Sequence, residues 1–196
     1  AMPHMVRMLV IVDPSGADDI EDATADEIGI GVIGRGADGV AYFMEDLTLK
    51  GSPAEWAKVA TDAYDRHTAD AIIGESNFGG AMVKAVIQSA KPGVPYREVT
   101  ATRGKHLRAE PVSALSEQGK VKLVGRFANL EDEMLAMTTA GYTGSKSPNR
   151  LDVLVWGVAS LFPKIISQAK AENDAGFMGG QRIPHPALTG RGRQFN

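Results

Sequence analysis

The sequence has no cysteine, and only 6% of its residues are aromatic. The lack of cysteine excludes a disulfide framework, a thiolate zinc site and a cysteine nucleophile, and it fits a reducing compartment. Any metal must therefore bind to oxygen or imidazole ligands. The histidines share no spacing typical of metal ligands, so zinc is not indicated; they are His4, His67, His106 and His185.

Long hydrophobic runs are also absent. No stretch approaches the ~20 apolar residues that span a bilayer, and the start lacks the regions of a signal peptide, so we expect an intracellular chain with no membrane association. The 196 residues, 43% hydrophobic and 23% charged, are typical of one globular domain. We expect residues 1–5 to be a leader left by a vector, residues 6–172 to form the domain, and residues 173–196, rich in Gly, Pro and Arg, to be a flexible tail.

The charges are unevenly distributed, although the net charge of −3 argues against a histone-like protein. Residues 13–27 contain seven acids and no Lys or Arg, which predicts a solvated loop. Residues 91–126 contain eight bases and three acids. This basic segment is typical either of an ordinary solvated surface or of a surface that binds a polyanion. Few aromatic residues lie among the bases, which favours contact with a duplex backbone over base stacking.

The order of predicted elements indicates a fold. Apolar runs at 6–12, 28–33 and 40–49, the last two around a hairpin signal at 36–39, predict three antiparallel strands. Helices at 53–67 and 80–90 then alternate with strands at 71–75 and 94–100. Further on, helices are predicted at 111–118 and 130–138 and a strand at 121–124, and Ser147 and Pro148 form a cap and first-position pair for a helix through 162. Three antiparallel strands followed by helix-strand units predict an α/β ribonuclease H-like mixed sheet with helices on both faces. This topology alone does not define a function.

Two short motifs match known signatures only in part. The string GIGVIG at 29–34 has the spacing of a dinucleotide fingerprint, but it lies in a predicted strand that leads to a hairpin, so we interpret its glycines as strand and bulge residues. The string GESNFG at 74–79 places its second glycine one residue late for a nucleophile elbow. No Walker A string occurs, so this chain alone is not expected to hydrolyse ATP.

Three acids fall at the ends of predicted elements. Asp13 ends the first strand, Glu75 ends the strand after the first helix, and Asp152 lies in the first turn of the last helix. Taken singly, Asp13 is typical of a turn residue, Glu75 of a solvated strand end, and Asp152 of an acid that complements the helix dipole. In a ribonuclease H topology, however, the strands of Asp13 and Glu75 are neighbours, so their carboxylates emerge side by side. We expect loops rather than core to surround all three acids.

Clustered carboxylates are what Mg²⁺ or Mn²⁺ needs as ligands. A cluster of three acids can hold two ions about 3.5–4 Å apart for phosphodiester cleavage.

Six ordered segments carry a resemblance to a known family. They are VIVDPSG at 10–16, ADEIGIGV at 25–32, IIGESNFGGAMV at 72–83, TRGKHLRAEPVSALSEQGKVKLVG at 102–125, FANLEDEM at 127–134 and SPNRLDVLVWG at 147–157. In this order the chain resembles the C-terminal nuclease domain of the large terminase subunit of tailed bacteriophages. The resemblance implies a nuclease that cuts concatemeric viral DNA at the start and end of genome packaging, in the cytoplasm of the infected bacterium. It also implies partners for the full subunit: double-stranded DNA, an N-terminal ATPase motor, the capsid portal and the small terminase subunit.

The resemblance also implies roles for individual residues. Asp13, Glu75 and Asp152 match the family's metal ligands, with two Mg²⁺ or Mn²⁺ ions expected. Asn149 stands where relatives often carry Asp, so a fourth ligand or a supporting carboxylate is missing, and Asp26 matches an acidic position of open role.

We expect the DNA backbone to be held without sequence preference by basic residues, namely Arg103, Lys105, Arg108 and Lys146. The isolated domain is expected to be monomeric. Two alternatives stay open: a structure-selective endonuclease of the junction-resolvase kind, and a module that binds DNA and docks on the portal with little cleavage of its own.

Overall fold

The computed structural model describes residues 2–14, 27–76, 80–101 and 104–163. The strands are β1 (Met5–Asp13), β2 (Gly29–Gly36), β3 (Ala41–Asp46), β4 (Ala71–Glu75), β5 (Tyr96–Val99), β6 (Val121–Leu123), β7 (Met137–Thr138) and β8 (Gly141–Tyr142). The helices are α1 (Pro53–Arg66), α2 (Gly80–Ala90), α3 (Lys105–Glu117), α4 (Ala128–Ala136) and α5 (Asn149–Leu161). Asp26, residues 164–172 and the predicted tail lie outside the described residues.

Six strands form one mixed sheet in the order β5-β4-β1-β2-β3-β6. The first three strands pair antiparallel, as predicted, whereas β4 runs parallel to β1, β5 parallel to β4, and β6 parallel to β3. All strands of the sheet except β2 therefore point the same way, and their carboxyl ends meet at one edge. That edge carries Asp13 at the end of β1 and Glu75 at the end of β4.

Alternation along the strands divides the core in two. In β1, Val10 and Val12 face a cluster with α1 and α2, whereas Leu9 and Ile11 face a cluster with α3, α4 and α5. Helices thus cover both faces of the mixed sheet, as predicted. Because successive side chains of a strand point to opposite faces, Asp13 continues the row of Leu9 and Ile11 toward α5.

Glycines of β2 let α5 lie close to the sheet. A Cβ added to Gly29 would come 2.7 Å from the Asn149 carbonyl oxygen and 2.9 Å from Val153 Cγ2, and one added to Gly31 would come 2.7 Å from Val153 Cγ1. The glycines at 29–34 are thus strand residues, with an irregularity in register between Val32 and Ile33. The fingerprint-like spacing reflects close packing between a helix and a strand.

Several predicted boundaries differ from the structure. The helix predicted at 111–118 begins six residues earlier, at Lys105, so Pro111 lies inside α3 rather than at its start. Burial of Ala109, Val112 and Leu115 on the core outweighs the backbone hydrogen bond that proline cannot make. The short hairpin of β7 and β8 was not predicted, because two-residue strands carry almost no alternation signal. The last helix begins at Asn149 with Pro148 as its N-cap, one residue later than predicted.

Candidate active site

Asp13 and Glu75 lie next to each other at the carboxyl edge of the sheet. The parallel pairing of β1 with β4 sets Val12 opposite Gly74, so the next residue of each strand is an acid. Both acids continue the rows that face α3, α4 and α5, because Ile11 and Ile73 belong to that core cluster. The sequence-based expectation that these two carboxylates emerge side by side agrees with this register.

Asp152 reaches the same place from α5. It lies in the first turn of that helix, as predicted, and Val153 beside it packs against Gly29 and Gly31 of β2. The expectation that loops surround the acids stays a prediction, because residues 15–26 and 77–79, which come soon after Asp13 and Glu75 along the chain, lie outside the described residues. All three acids are buried: the exposed fractions of Asp13, Glu75 and Asp152 are 0%, 8% and 3%. Buried carboxylates need partners, since an unpaired buried charge is costly.

Trp156 supplies one partner for Glu75. Its Nε1 donates a hydrogen bond of 2.9 Å to Oε2 of Glu75. Trp156 follows Asp152 by four residues on α5, so the two side chains project from neighbouring turns of one helix face. Helix α5 therefore carries Asp152 and, through Trp156, orients Glu75.

Two basic residues of α3 supply further partners. Lys105 Nζ lies 2.5 Å from Asp152 Oδ2 and 3.0 Å from Ser147 Oγ. One α-helical turn later, Arg108 places Nη2 3.5 Å from Asp152 Oδ1 and Nη1 3.9 Å from Glu75 Oε2. Its guanidinium also stacks over the Trp156 ring, with Cζ 4.5 Å from the ring centroid. Arg108 thus links Glu75 and Asp152.

The structure separates the basic residues that are expected to hold DNA into those that contact the acids of the site and those that do not. Lys105 and Arg108 contact acids of the acidic cluster, which consists of Asp13, Glu75 and Asp152. The side chain of Lys146 is exposed, and Arg103 lies outside the described residues. Lys91, in the same basic segment, pairs with Asp65 of α1 at 2.9 Å. The local sequence gives the sign of these charges but not the direction of the side chains, which depends on where α3 packs.

A second ion network, which the sequence analysis missed, anchors the start of α5. Arg150 contacts Asp46 Oδ2 through Nε at 2.9 Å, and Glu27 Oε2 and Glu133 Oε1 through Nη1 at 2.8 and 3.4 Å. Asn149 Nδ2 donates to the Glu27 carbonyl oxygen at 2.6 Å. Asn149 therefore ties α5 to the chain just before β2. No sequence pattern signals this network, since its acids come from three distant segments.

The network shifts the ionisation of its members. The hydrogen bond from Arg150 holds the pKa of Glu27 below its ordinary value of 4.5, with further charge contributions from Arg150, Lys146 and Lys50. Burial raises the pKa of Glu133 despite its hydrogen bonds from Leu151 and Arg150. The pKa of Arg150 is raised by its acidic partners, although its burial acts in the opposite direction. The guanidinium of Arg150 therefore stays charged.

The acidic cluster has the donor chemistry of a site for a hard divalent ion. Its ligands would be the carboxylate oxygens of Asp13, Glu75 and Asp152, which Mg²⁺ and Mn²⁺ prefer. Within residues 2–14, 27–76, 80–101 and 104–163, no three acidic or histidine side chains lie close enough together to hold an ion. Cationic groups of Lys105 and Arg108 contact two of the acids instead. Buried carboxylates that accept cationic side chains in this way fit a metal by charge and by atom type.

Among the helices of the described residues, none has the length and apolar character needed to cross a membrane.

The sheet order and the helices on both faces define a ribonuclease H-like domain. The profile of the Terminase RNaseH-like domain family matches residues 10–161, so the chain belongs to that family. The resemblance stated from the sequence segments is confirmed, and the family supports a nuclease of the ribonuclease H-like superfamily. No curated protein sequence matches the chain.

Solved structures of terminase nucleases share the fold. The large terminase nuclease from thermophilic phage G20c is 12% identical, with a TM-score of 0.59 over 78% of this chain and 81% of that chain. The nuclease domain of the large terminase subunit gp2 of bacterial virus Sf6 is 14% identical, with a TM-score of 0.54 over 80% of this chain and 89% of that chain. A mutant of that domain has TM-scores of 0.56 in a structure with calcium and 0.53 in one with manganese and β-thujaplicinol. At these identities the likeness shows the fold alone.

Proposed function

We propose that this domain is a divalent-metal-dependent endonuclease that cuts double-stranded viral DNA during genome packaging. The observation that carries the proposal is the group of three acids buried at one edge of the sheet, Asp13, Glu75 and Asp152, with basic side chains of α3 beside them. Membership of the terminase family supports it, as does the manganese in the structure of the Sf6 relative. The proposal includes the partners of the full subunit: an ATPase motor, the capsid portal and the small subunit, in the host cytoplasm.

The residues that would hold the ions are Asp13, Glu75 and Asp152, whose carboxylates are buried at the same end of the sheet. The chemistry that divalent ions would supply there is activation of a water molecule and stabilisation of the leaving 3′-oxygen of a phosphodiester.

The chain's own residues prepare the site. The β1–β4 ladder fixes the backbones of Asp13 and Glu75, and the Trp156 indole orients the Glu75 carboxylate. Burial of the carboxylates under α5 removes competing water and strengthens their charge interactions. Cleavage without sequence preference is expected, because basic groups that meet phosphates position a duplex without reading its bases.

The test is cleavage of supercoiled plasmid in Mg²⁺, in Mn²⁺ and in chelator. The wild-type domain is compared with Asp13→Asn, Glu75→Gln and Asp152→Asn, which keep the shape of each side chain and remove its charge. Asp62→Asn, on the exposed side of α1, is the matched control. We expect metal-dependent nicking and linearisation by the wild type and the control, and none by the three site variants. Wild-type cleavage by a folded Asp13→Asn variant would remove Asp13 from the site.

The same assay addresses the two alternatives. A preference for branched junctions over linear duplex would identify a structure-selective endonuclease. Intact plasmid in every lane, together with duplex binding that persists in chelator and weakens steeply with salt, would identify a binding module.

A further inference from the structure

Arg108 is a largely buried cation whose guanidinium is incompletely hydrogen-bonded within the described residues. Its side chain is 13% exposed, and within the described part of the chain neither Nε nor Nη1 has a hydrogen-bond partner. Its distances of 3.5 and 3.9 Å to Asp152 and Glu75 exceed the ~2.7–2.9 Å of strong charge-assisted hydrogen bonds. Charge attraction and stacking on Trp156 therefore keep the guanidinium in place.

The charges of the acidic cluster favour displacement of the Arg108 guanidinium when divalent ions bind. Lys105 and Arg108 contact Glu75 and Asp152, so two positive charges face these two carboxylates. Two divalent ions bound by the same acids would make the cluster strongly positive if both basic side chains stayed. Repulsion would then act most strongly on Arg108, because its side chain is less exposed than that of Lys105 and because its Nε and Nη1 have no hydrogen-bond partner among the described residues.

We propose that Arg108 is an internal counterion, which balances Glu75 and Asp152 in the metal-free domain and which divalent ions displace toward the phosphate backbone of the DNA. The inference rests on the proposed function, because it takes Glu75 and Asp152 as metal ligands. It adds a coupling between the binding of metal and the binding of DNA. Metal binding makes the Arg108 guanidinium available to the DNA, and DNA that binds this guanidinium removes a cation that competes with the metal for the carboxylates.

The direct test is binding of Mn²⁺ in the absence of DNA, measured by titration calorimetry. Arg108→Met keeps an unbranched apolar side chain to cover Trp156 and removes the charge, whereas Arg108→Lys keeps the charge. We expect the methionine variant to bind Mn²⁺ roughly tenfold more tightly than the wild type, because a competing cation is lost. Arg108→Lys should bind close to the wild-type value.

The matched control is Arg66→Met, which breaks an exposed arginine–carboxylate pair with Glu45 on the α1 side of the sheet. Its affinity for Mn²⁺ should equal that of the wild type. If Arg108→Met does not fold, Arg108→Gln provides the same neutral comparison with a polar side chain.

Thermal unfolding separates a counterion from a merely structural residue. A counterion variant should unfold at a lower temperature than the wild type in chelator, where Glu75 and Asp152 have lost a partner, and should gain more from added Mn²⁺. A structural residue would lower the midpoint equally in both conditions and would leave Mn²⁺ affinity unchanged.

DNA binding gives the second arm of the test. With a duplex whose backbone linkages resist hydrolysis, Arg108→Met should weaken binding several-fold in Mn²⁺ and leave binding in chelator unchanged. Equal weakening in both conditions would show that Arg108 contacts DNA without prior displacement.

Unchanged or weaker Mn²⁺ affinity of the folded neutral variants would overturn the inference and leave the proposed function standing, provided that Asp13→Asn abolishes Mn²⁺ binding. A wild-type domain that binds no Mn²⁺ would overturn the proposed metal site itself, and the inference with it.

Discussion

The indole Nε1 of Trp156 donates its hydrogen bond to Oε2 of Glu75 across the contact between α5 and the end of β4, at 2.9 Å. The same ring carries the Arg108 guanidinium on its face. Trp156 therefore touches both an acid of the site and the cation beside that acid. The Nε1 edge of the ring binds Glu75 and the face of the ring contacts Arg108, so a substitution can remove one contact and keep the other.

Trp156→Phe removes the hydrogen-bond donor and keeps an aromatic face for Arg108. We expect a loss of about 1.5–3 kcal/mol in the free energy of unfolding, because a buried carboxylate loses a hydrogen bond. The metal concentration for half-maximal cleavage should rise several-fold, because Glu75 is no longer oriented. Urea unfolding and metal titration of plasmid cleavage measure the two effects. Trp56→Phe, at the other tryptophan, which is a buried residue of α1, should lose stability without a change in metal dependence. The same shift in metal dependence in both variants would contradict a specific role for Trp156.

Gly29→Ala tests the close approach of α5 to β2. The added Cβ would lie 2.7 Å from the Asn149 carbonyl oxygen, a backbone atom that can move only with the start of the helix. We expect a destabilisation of about 1–3 kcal/mol from overpacking, with reduced cleavage because Asp152 moves with α5. Gly51→Ala, whose nearest neighbours would be at 3.3 Å on side chains, should have a small effect. Full cleavage and full stability of Gly29→Ala would show that α5 can shift without harm.

Arg150→Met tests the network that anchors α5. It leaves Glu27, Asp46 and Glu133 without their shared cation, and we expect a loss of about 3 kcal/mol near neutral pH. Exposed Arg66→Met should cost at most about 1 kcal/mol.

The difference between wild type and Arg150→Met should depend on pH. Arg150 lowers the pKa of Glu27, so its stabilising effect is present above the ordinary value of 4.5 and is lost as the pH falls through the lowered pKa of the folded state. The raised pKa of Glu133 has the opposite sign: its ionisation opposes folding as the pH rises above 4.5, and most strongly when Arg150 is absent. Both effects make the stability gap largest near neutral pH and smaller in acid. Urea unfolding from about pH 7 to about pH 3 measures the gap, and a constant gap would contradict this account.

Tyr96→Phe tests a buried hydroxyl. Among the residues that the structure describes, the Tyr96 hydroxyl has no hydrogen-bond partner, and burial raises its pKa to about 12. Removal of an unsatisfied polar group should leave stability unchanged or raise it by up to about 1 kcal/mol. In the wild type, ultraviolet titration should show one tyrosine that ionises only near the top of the alkaline range. A clear loss of stability in the phenylalanine variant would reveal a partner for the hydroxyl.

Local patterns were enough to predict most strands and the order of elements. Continuous apolar runs such as that of β1 identify buried strands, and Pro53 after Ser52 marks the start of α1 as observed. The predicted start of α3 at Pro111 is wrong, because a proline can lie inside a helix where packing of that helix onto the core prevails. The positions of Asp13 and Glu75 could be predicted because strand order and alternation fix which acids share an edge and a face.

The sequence by itself determined the family, the sheet and the identity of the three acids, because these depend on periodicity, turn residues and motif order along the chain. Only the tertiary structure decided the burial of those acids, the Trp156 hydrogen bond to Glu75, and the direction of Lys105 and Arg108 toward carboxylates. The reason is physical. Side chains of α3 and α5 meet the strand ends across gaps of 30 or more residues in sequence, and which charges become neighbours there depends on how closely each helix packs on the sheet.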